Sequence, residues 1–314
     1  MSQTHPTPAQ PEPRNGGRLP VTVLVPTIGR PDLLRACLRS VSGCRPGADE
    51  VVIVDQSRDQ AGAALIGEFL HLPVKVVGCE GRGYALGLNV GLRAARHQLV
   101  LVTNDDCTVR PDWVAVAYAR ARERPGGIVT GRVMPPEDGA PVPSIKVDLE
   151  PHDYHGEIVL NALYGGNMML PRQEVLFFGG FDERPGMRVS SEDNDLCYRW
   201  LRAGRSLRYE PDMVVWHNDW RSPEELVQRY VEYARGNGVL YAKYLLRGDR
   251  SMLRYAAREY AWGWRSLAAA LVRRRPRWQD PRRGVLRGLP VGLAIGLRDE
   301  LRDRRARTQQ APPV

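Results

Sequence analysis

Short runs of β-branched and aliphatic residues alternate with helical spacings through the first two-thirds of the chain. Val21-Thr-Val-Leu-Val25 is a near-continuous apolar run ending at Pro26, the pattern of a strand buried on both faces. After Pro31-Asp32, Leu33, Leu34, Cys37, Leu38 and Val41 recur at helical spacing until Ser42-Gly43. Val51–Val54, Val74–Val77 and Leu99–Val102 read as further strands, with a helix near Tyr84–Arg96 before the last. Strands alternating with helices predict an α/β fold, a doubly wound and mostly parallel sheet. A long Pro-, Asp- and Gly-rich loop is expected over Pro135–His155, and loops of that length are often functional. Beyond it, Met168–Leu170 reads as a strand, Ser190-Ser191-Glu192-Asp193 as the opening of a helix running to Gly204, and Leu207–Trp216 as the closing strand.

From Arg221 the pattern becomes helical and basic. Helices are predicted over Glu225–Leu246 and Met252–Val272, followed by a short apolar segment, Leu286–Leu297. The charge divides along the same line. Residues 1–220 hold 24 Lys and Arg against 27 Asp and Glu, residues 221–314 hold 21 against 9, and the whole carries +9. Three segments are therefore expected: a disordered 1–19, an α/β domain over 20–220, and a basic helical extension over 221–314. In that extension Trp262, Trp264 and Trp278 stand beside arginines, which suits a helix lying in an anionic membrane interface. The alternative is helices packed on the enzyme's own core with snorkelling arginines. Nucleic acid is not expected, because the tryptophans group with Leu and Ala rather than lining a charged groove.

With 43% hydrophobic and 26% charged residues in 314, the composition excludes a collagenous, disulfide-stapled or wholly disordered chain. Five cysteines without a C-x-x-C pair read as thiols of a reducing compartment. The first nineteen residues lack an apolar core, so no signal peptide is expected, and no apolar run is long enough to span a bilayer. A cytoplasmic protein, peripheral at the inner face of the cell membrane, is the expectation.

Ligands of doubly wound sheets sit beyond the carboxyl ends of the strands, so the residues there are the ones to inspect. Pro26-Thr27 follows the first strand. Asp55 follows the second and could accept a hydrogen bond from a base or ribose; the competing reading is an Asx turn. Asn104-Asp105-Asp106 follows the fourth. Adjacent carboxylates call for a compensating cation, and oxygen ligands suit Mg²⁺ or Mn²⁺ holding a diphosphate; a solvated turn is the alternative. Glu192 and Asp193 open a helix, where acids serve either as caps or as a general base. His217 ends the last strand, as a structural imidazole or a Mn²⁺ ligand.

These signals occur in one order, and in that order the chain resembles the family 2 glycosyltransferases, inverting enzymes of the GT-A fold. The resemblance runs from Val21 to His217. It is carried by Val21–Arg30, by Val51–Ser57 with Asp55, by Gly81-Arg-Gly83 to Asn89-Val-Gly91, by Asn104-Asp105-Asp106, by Gly179-Gly-Phe-Asp-Glu183, by Glu192-Asp193-x-Asp195 and by Tyr209-x-Pro211 with His217. Two departures stand out: Leu88 replaces a common Arg, and Asn104 stands where the family's metal motif commonly has its first Asp.

The resemblance implies transfer of a hexosyl or deoxyhexosyl unit from a nucleoside-diphosphate sugar to an acceptor hydroxyl; the basic tail makes a lipid-linked or cell-envelope glycan the expected acceptor. It implies Asp193 as the base, and Asp106 and His217 as ligands of Mn²⁺ or Mg²⁺. Pro26, Thr27, Arg30, Asp55, Gly83, Asn89, Asn104 and Asp105 fall on the nucleotide-sugar side. Gly166, Asn167 and Glu192 fall on the acceptor side. Two other readings remain, a nucleotidyltransferase and a catalytically silent sugar-nucleotide binder. Against the first, the Gly-rich phosphate loop expected near the opening strand is reduced to Gly29-Arg30.

Overall fold

The computed structural model describes residues 17–136, 145–155, 159–187, 190–218, 221–272 and 283–310. Its α/β part contains strands β1 (Arg18–Thr27), β2 (Gly47–Asp55), β3 (Val74–Gly78), β4 (Leu99–Thr103), β5 (Cys107–Val109), β6 (Ile128–Met134), β7 (His152–Tyr154), β8 (Asn167–Pro171) and β9 (Leu207–His217). Between them lie helices α1 (Pro31–Ser42), α2 (Ala61–Ala64), α3 (Tyr84–Ala94), α4 (Trp113–Glu123), α5 (Arg172–Phe177) and α6 (Glu192–Arg202). Helices α7 (Pro223–Leu246), α8 (Ser251–Val272) and α9 (Arg283–Gln310) follow.

The nine strands form one sheet in the order β3-β2-β1-β4-β8-β6-β9-β5, with β7 beside β9. β3, β2, β1 and β4 are mutually parallel. β6 and β9 are parallel as well, so the mostly parallel expectation holds, while β8 runs antiparallel to both β4 and β6, and β5 and β7 antiparallel to β9. The reversal at β8 places the carboxyl ends of β1 and β4 opposite the Gly165-Gly166 turn that enters β8. That opposition creates the cleft.

Helices cover both faces. On one, Leu34, Cys37 and Leu38 of α1 and Trp113, Val114 and Ala117 of α4 pack on Val21, Val23 and Val25. On the other, Leu88 and Leu92 of α3 and Leu196 and Trp200 of α6 pack on Leu24, Val100 and Val102. β1 is thus buried on both sides, which is why its apolar residues run almost without interruption. Cys37, Cys44, Cys107 and Cys197 are buried and all five cysteines are free. Arg18 and Leu19, inside the segment expected to be disordered, belong to β1, and Arg18 donates to the carbonyls of Ala48 (3.0 Å) and His71 (2.7 Å). Residues 1–16 lie outside the described residues.

The C-terminal helices share a core with the α/β part: Met187 and Tyr198 pack with Ala234, Leu240, Tyr244 and Met252. A buried ionic network joins them as well. Lys243 of α7 binds Asp195 of α6 and Asp182 (2.8 Å), while Asp195 also accepts from Arg199 (2.8 Å) and Tyr244 (2.6 Å). The apolar run Leu286–Leu297 packs on α7 through its glycines, while Val291 and Leu297 stay exposed. It lies in α9, whose Gly284, Gly288, Gly292 and Gly296 recur every fourth residue against the backbone of α7. A Cβ on any of them would fall within 3.0 Å of an α7 backbone atom, so the glycines permit a close helix crossing that side chains would prevent. Trp278 lies outside the described residues.

Candidate active site

A cleft of about 1250 Å³ opens along the carboxyl ends of β1 and β4 and runs on between α6 and helices α7 and α8. Pockets for one small ligand hold roughly 300–1,000 Å³, so this one lies above that range.

At its inner corner Asp105 and Asp106 are held by the loop after β1. Thr27 Oγ1 donates to Asp105 Oδ2 at 2.7 Å. The Arg30 guanidinium spans both acids, pairing with Asp105 and lying 3.1 Å from Asp106 Oδ2. Burial pushes the Asp105 carboxyl up to about 6, against the pull of Arg30. Asp106 is equally buried, yet the hydrogen bond and charge of His217, with Arg30, bring it down to about 2. His217 reaches Asp106 because β5 and β9 pair Cys107 with His217, and the Asn218 N–H donates to the Asp106 carbonyl at 2.8 Å. His217 Nε2 stands 3.6 Å from Asp106 Oδ1, and its Nδ1 lies 3.3 Å from the Tyr164 hydroxyl.

Among the described residues no group of three His, Cys, Asp or Glu side chains is arranged around a metal position. Asp106 and His217 nevertheless form a fitting pair: a carboxylate oxygen and an imidazole nitrogen close enough to share one hard or borderline cation, with Asp105 alongside. Such a cation would need further ligands from a bound diphosphate and from water.

Asp193 lies at the opposite wall. The N–H of Gly165 donates to its Oδ2 (3.2 Å) and the N–H of Asn194 to its Oδ1 (2.8 Å). Burial raises this carboxyl above the usual aspartate range, and those amide bonds oppose the shift. Beside it, buried Glu192 is pushed up to about 8 by burial and by Asp193. Two buried carboxyls side by side repel as anions, so the pair resists carrying both charges at once. The two serines before them do not cap α6. Ser191 sits in the left-handed region at φ 69°, its hydroxyl donates to Asn237 Oδ1 of α7 at 2.8 Å, and Ser190 Oγ donates to the Glu232 carbonyl at 3.1 Å. A non-glycine residue held there costs about 1–3 kcal/mol, supplied by the α7 contacts.

Tyr84 joins the two walls. Its hydroxyl lies 2.6 Å from Asn104 Oδ1 and 2.8 Å from the Gly165 carbonyl, and Gly165 in turn holds Asp193. Gly166 faces Asn104 so closely that a Cβ would come within 2.8 Å of Asn104 Nδ2.

Of the residues singled out in the sequence, Pro26, Thr27, Arg30, Gly83, Asn104, Asp105, Asp106, Gly166, Glu192, Asp193 and His217 line this cleft. Three do not. Asn89 is buried, bonded to Phe181 through its N–H and carbonyl and to Glu183, and so ties α3 to the Gly179-Gly180 turn. Asn167 accepts from Trp113 Nε1 (2.9 Å) and donates to the carbonyls of Arg132 and Met213; it is a fully buried cross-link of the sheet. Asp55 accepts from Ser57 N (2.9 Å) and Oγ (2.6 Å) and from Gly62 N (2.7 Å), which is the Asx-turn reading. Its neighbour Gln56 lines the cleft instead.

Sequence reasoning missed Tyr84, Tyr164 and the whole contribution of α7 and α8, including Arg229, Tyr233, Asn237, Arg258, Trp262 and Arg265. The long loop also reaches the cleft, through Lys146 and Asp148.

The family model described as glycosyl transferase family 2 matches residues 22–167. A pre-mycofactocin glycosyltransferase of Mycobacterium tuberculosis is 26% identical over 243 residues, 72% of this chain and 49% of that protein. A glucosyl-dolichyl phosphate glucuronosyltransferase of Haloferax volcanii is 24% identical over 184 residues, 54% of this chain and 58% of its own. The chain thus spans about half the length of the curated relatives it matches. Among solved structures, a mannosyltransferase from Pyrobaculum calidifontis, in complex with GDP-Man and Mn²⁺, superposes with a TM-score of 0.58 at 20% identity, over 95% of this chain and 91% of that one. S. aureus TarS 1-349 does so at 0.51 and 19%, over 69% and 65%.

Proposed function

We propose, from the premise that this chain belongs to glycosyl transferase family 2 and has the GT-A fold, that it transfers a sugar from a nucleoside diphosphate to an acceptor hydroxyl with inversion. One observation carries this reading. The Tyr84 hydroxyl stands between Asn104 Oδ1 (2.6 Å) and the Gly165 carbonyl (2.8 Å), and the Gly165 N–H holds Asp193, so a carboxyl group is fixed across the cleft from a corner able to receive a diphosphate. Asp193 takes the acceptor's proton as its oxygen attacks the anomeric carbon, and the bond from that carbon to the diphosphate breaks. Thr27 and Arg30 position the acidic corner, while Gly83, whose φ is 144°, lets the chain turn close to the nucleotide. Asp106 and His217 would hold Mn²⁺ or Mg²⁺, which when bound supplies positive charge against the departing diphosphate. In this reading residues 20–220 carry the donor chemistry, and the helices of 221–314 close the acceptor side.

A peripheral membrane position belongs to the same proposal. Among the described residues no helix is long and apolar enough to cross a membrane. Helix α8, however, exposes Leu253, Tyr260, Trp264 and Leu271, which recur on one face. Such a stripe on a basic helix supports attachment to an anionic surface and an acceptor drawn from it, a lipid-linked or envelope glycan.

The test is a screen of nucleotide sugars by thermal shift with Mn²⁺, followed by sugar transfer or donor hydrolysis. Asp193→Asn should keep donor binding and lose turnover by at least about 10²-fold. Near-normal turnover in that variant would sink the assignment. Donor binding by the wild type without any turnover would favour the silent binder.

A further inference from the structure

The cleft continues past Asp193 onto a wall that the donor chemistry does not use. Helix α8 turns Tyr255, Arg258, Trp262 and Arg265 toward it, at spacings of three, four and three residues, so one face of the helix looks inward. The wall is coupled to the base. Ser191, two residues before Asp193, donates to Asn237, and Asn237 Nδ2 donates to Glu259 at 3.1 Å, next to Arg258.

Charge on this wall is one-sided. Arg258 and Arg265 are exposed to the cleft and meet no acid among the described residues, unlike Arg229 (3.1 Å from Glu232) or Arg247 (2.7 Å from Glu300). Glu259 is engaged by Asn237 and by the Tyr241 hydroxyl at 2.6 Å, and burial raises its carboxyl toward the neutral form. Glu192, 4% exposed, has an Oε2 with no hydrogen-bond partner, and that carboxyl lines the cleft. That oxygen is open to a donor from a bound ligand or from water.

We infer that this wall is an anion subsite, in which Arg258 and Arg265 hold a phosphate or carboxylate carried by the acceptor while Trp262 lies beneath its ring or chain. The inference rests on the transferase reading and specifies its acceptor. Seven residues of helix rise about 10 Å, a span that two arginine side chains can bridge to flank one anionic group over Trp262. The guanidinium fork suits phosphate and carboxylate alike. The acceptor hydroxyl thus arrives at Asp193 on an anionic body, held on the side of the cleft away from Asp105 and Asp106.

The full chain is titrated in metal-free buffer with octyl phosphate, octanoate, octyl glucoside and inorganic phosphate, alongside separate measurement of nucleotide-sugar binding. At least one of the charged amphiphiles should bind about tenfold or more tighter than octyl glucoside. Arg258→Ala/Arg265→Ala should abolish that preference, Arg258→Lys/Arg265→Lys should keep part of it, and nucleotide affinity should stay within about twofold in both. Octyl phosphate far tighter than inorganic phosphate identifies a lipid-linked anion, and equal affinity identifies a small anionic acceptor. Equal binding of the neutral amphiphile, or a preference that survives the double alanine variant, overturns the subsite. Failure of the wild type to bind any nucleotide sugar would instead undo the transferase reading.

Discussion

The Tyr84 hydroxyl lies 2.6 Å from Asn104 Oδ1, at the position where the family commonly carries the first carboxylate of its metal motif. An amide there accepts this hydrogen bond as a carboxylate would, while adding no charge to the crowded Asp105–Asp106 corner. Restoring the charge should have opposite effects with and without metal. Asn104→Asp should lower the melting temperature of the metal-free protein, because three adjacent carboxylates repel one another. It should also tighten Mn²⁺ binding by about an order of magnitude, since affinity of oxygen-ligand sites grows with ligand charge. Thermal shift with and without Mn²⁺ reads both. An unchanged Mn²⁺ response would mean that Asn104 does not face the cation.

Asp106 and His217 meet because a three-residue strand, β5, pairs with the end of β9. If they are the protein's ligands, Asp106→Ala and His217→Ala should each weaken Mn²⁺-dependent donor binding by at least about tenfold, the lower scale even for the groups behind a ligand. Binding without metal should change far less. Full activity of both variants, or of the wild type in EDTA, would remove the metal from this corner.

Glu192 ties pH to stability. Its carboxyl is pushed up to about 8 in the folded chain, so between the ordinary glutamate range and pH 8 the folded state binds more protons than the unfolded one. Its contribution therefore makes stability fall as pH rises through that window. Glu192→Gln removes the titration. The melting temperature of the variant relative to wild type should rise from pH 5 to pH 8 by at least about 2 °C. A difference independent of pH would show that Glu192 ionises normally.

The strands that bear the acidic corner were legible because burial on both faces leaves long aliphatic runs, as in Val21–Val25 and Val51–Val54. β6 was not, because Gly131 interrupts its pattern. That glycine is required where the chain passes against Met213 and Asn167, a contact made only in the folded sheet. Asn89 and Asn167 look like ligand groups in a motif string, and only the partners of their amides reveal them as internal cross-links. The α8 wall of the cleft was illegible for a different reason. α8 has a buried face (Met252, Gly263, Ser266), a cleft face (Arg258, Trp262, Arg265) and an exposed apolar face (Leu253, Tyr260, Trp264, Leu271), and spacing alone cannot say which aromatic looks where. The two tryptophans grouped in the sequence turn to opposite sides.

That division sharpens the membrane prediction to a single face. Leu253, Tyr260, Trp264 and Leu271 are 54%, 36%, 53% and 48% exposed on one side of α8, whereas Trp262, 46% exposed, turns to the cleft and α9 packs its glycine face on α7. Burying a large apolar side chain is worth about 1.5–3 kcal/mol, and each basic residue near an anionic surface adds on the order of 1 kcal/mol. Attachment should therefore need both terms. In vesicle sedimentation the protein should bind phosphatidylglycerol-containing vesicles and bind neutral phosphatidylcholine vesicles less, with a measurable fraction released as salt shortens the electrostatic range. Trp264→Glu and Leu271→Glu, each on the exposed stripe, should lower vesicle affinity by at least about tenfold. Trp262→Ala should leave it unchanged. Equal, salt-insensitive binding to both lipids would contradict the electrostatic part. Full vesicle binding by the two glutamate variants would show that α8 does not make the contact.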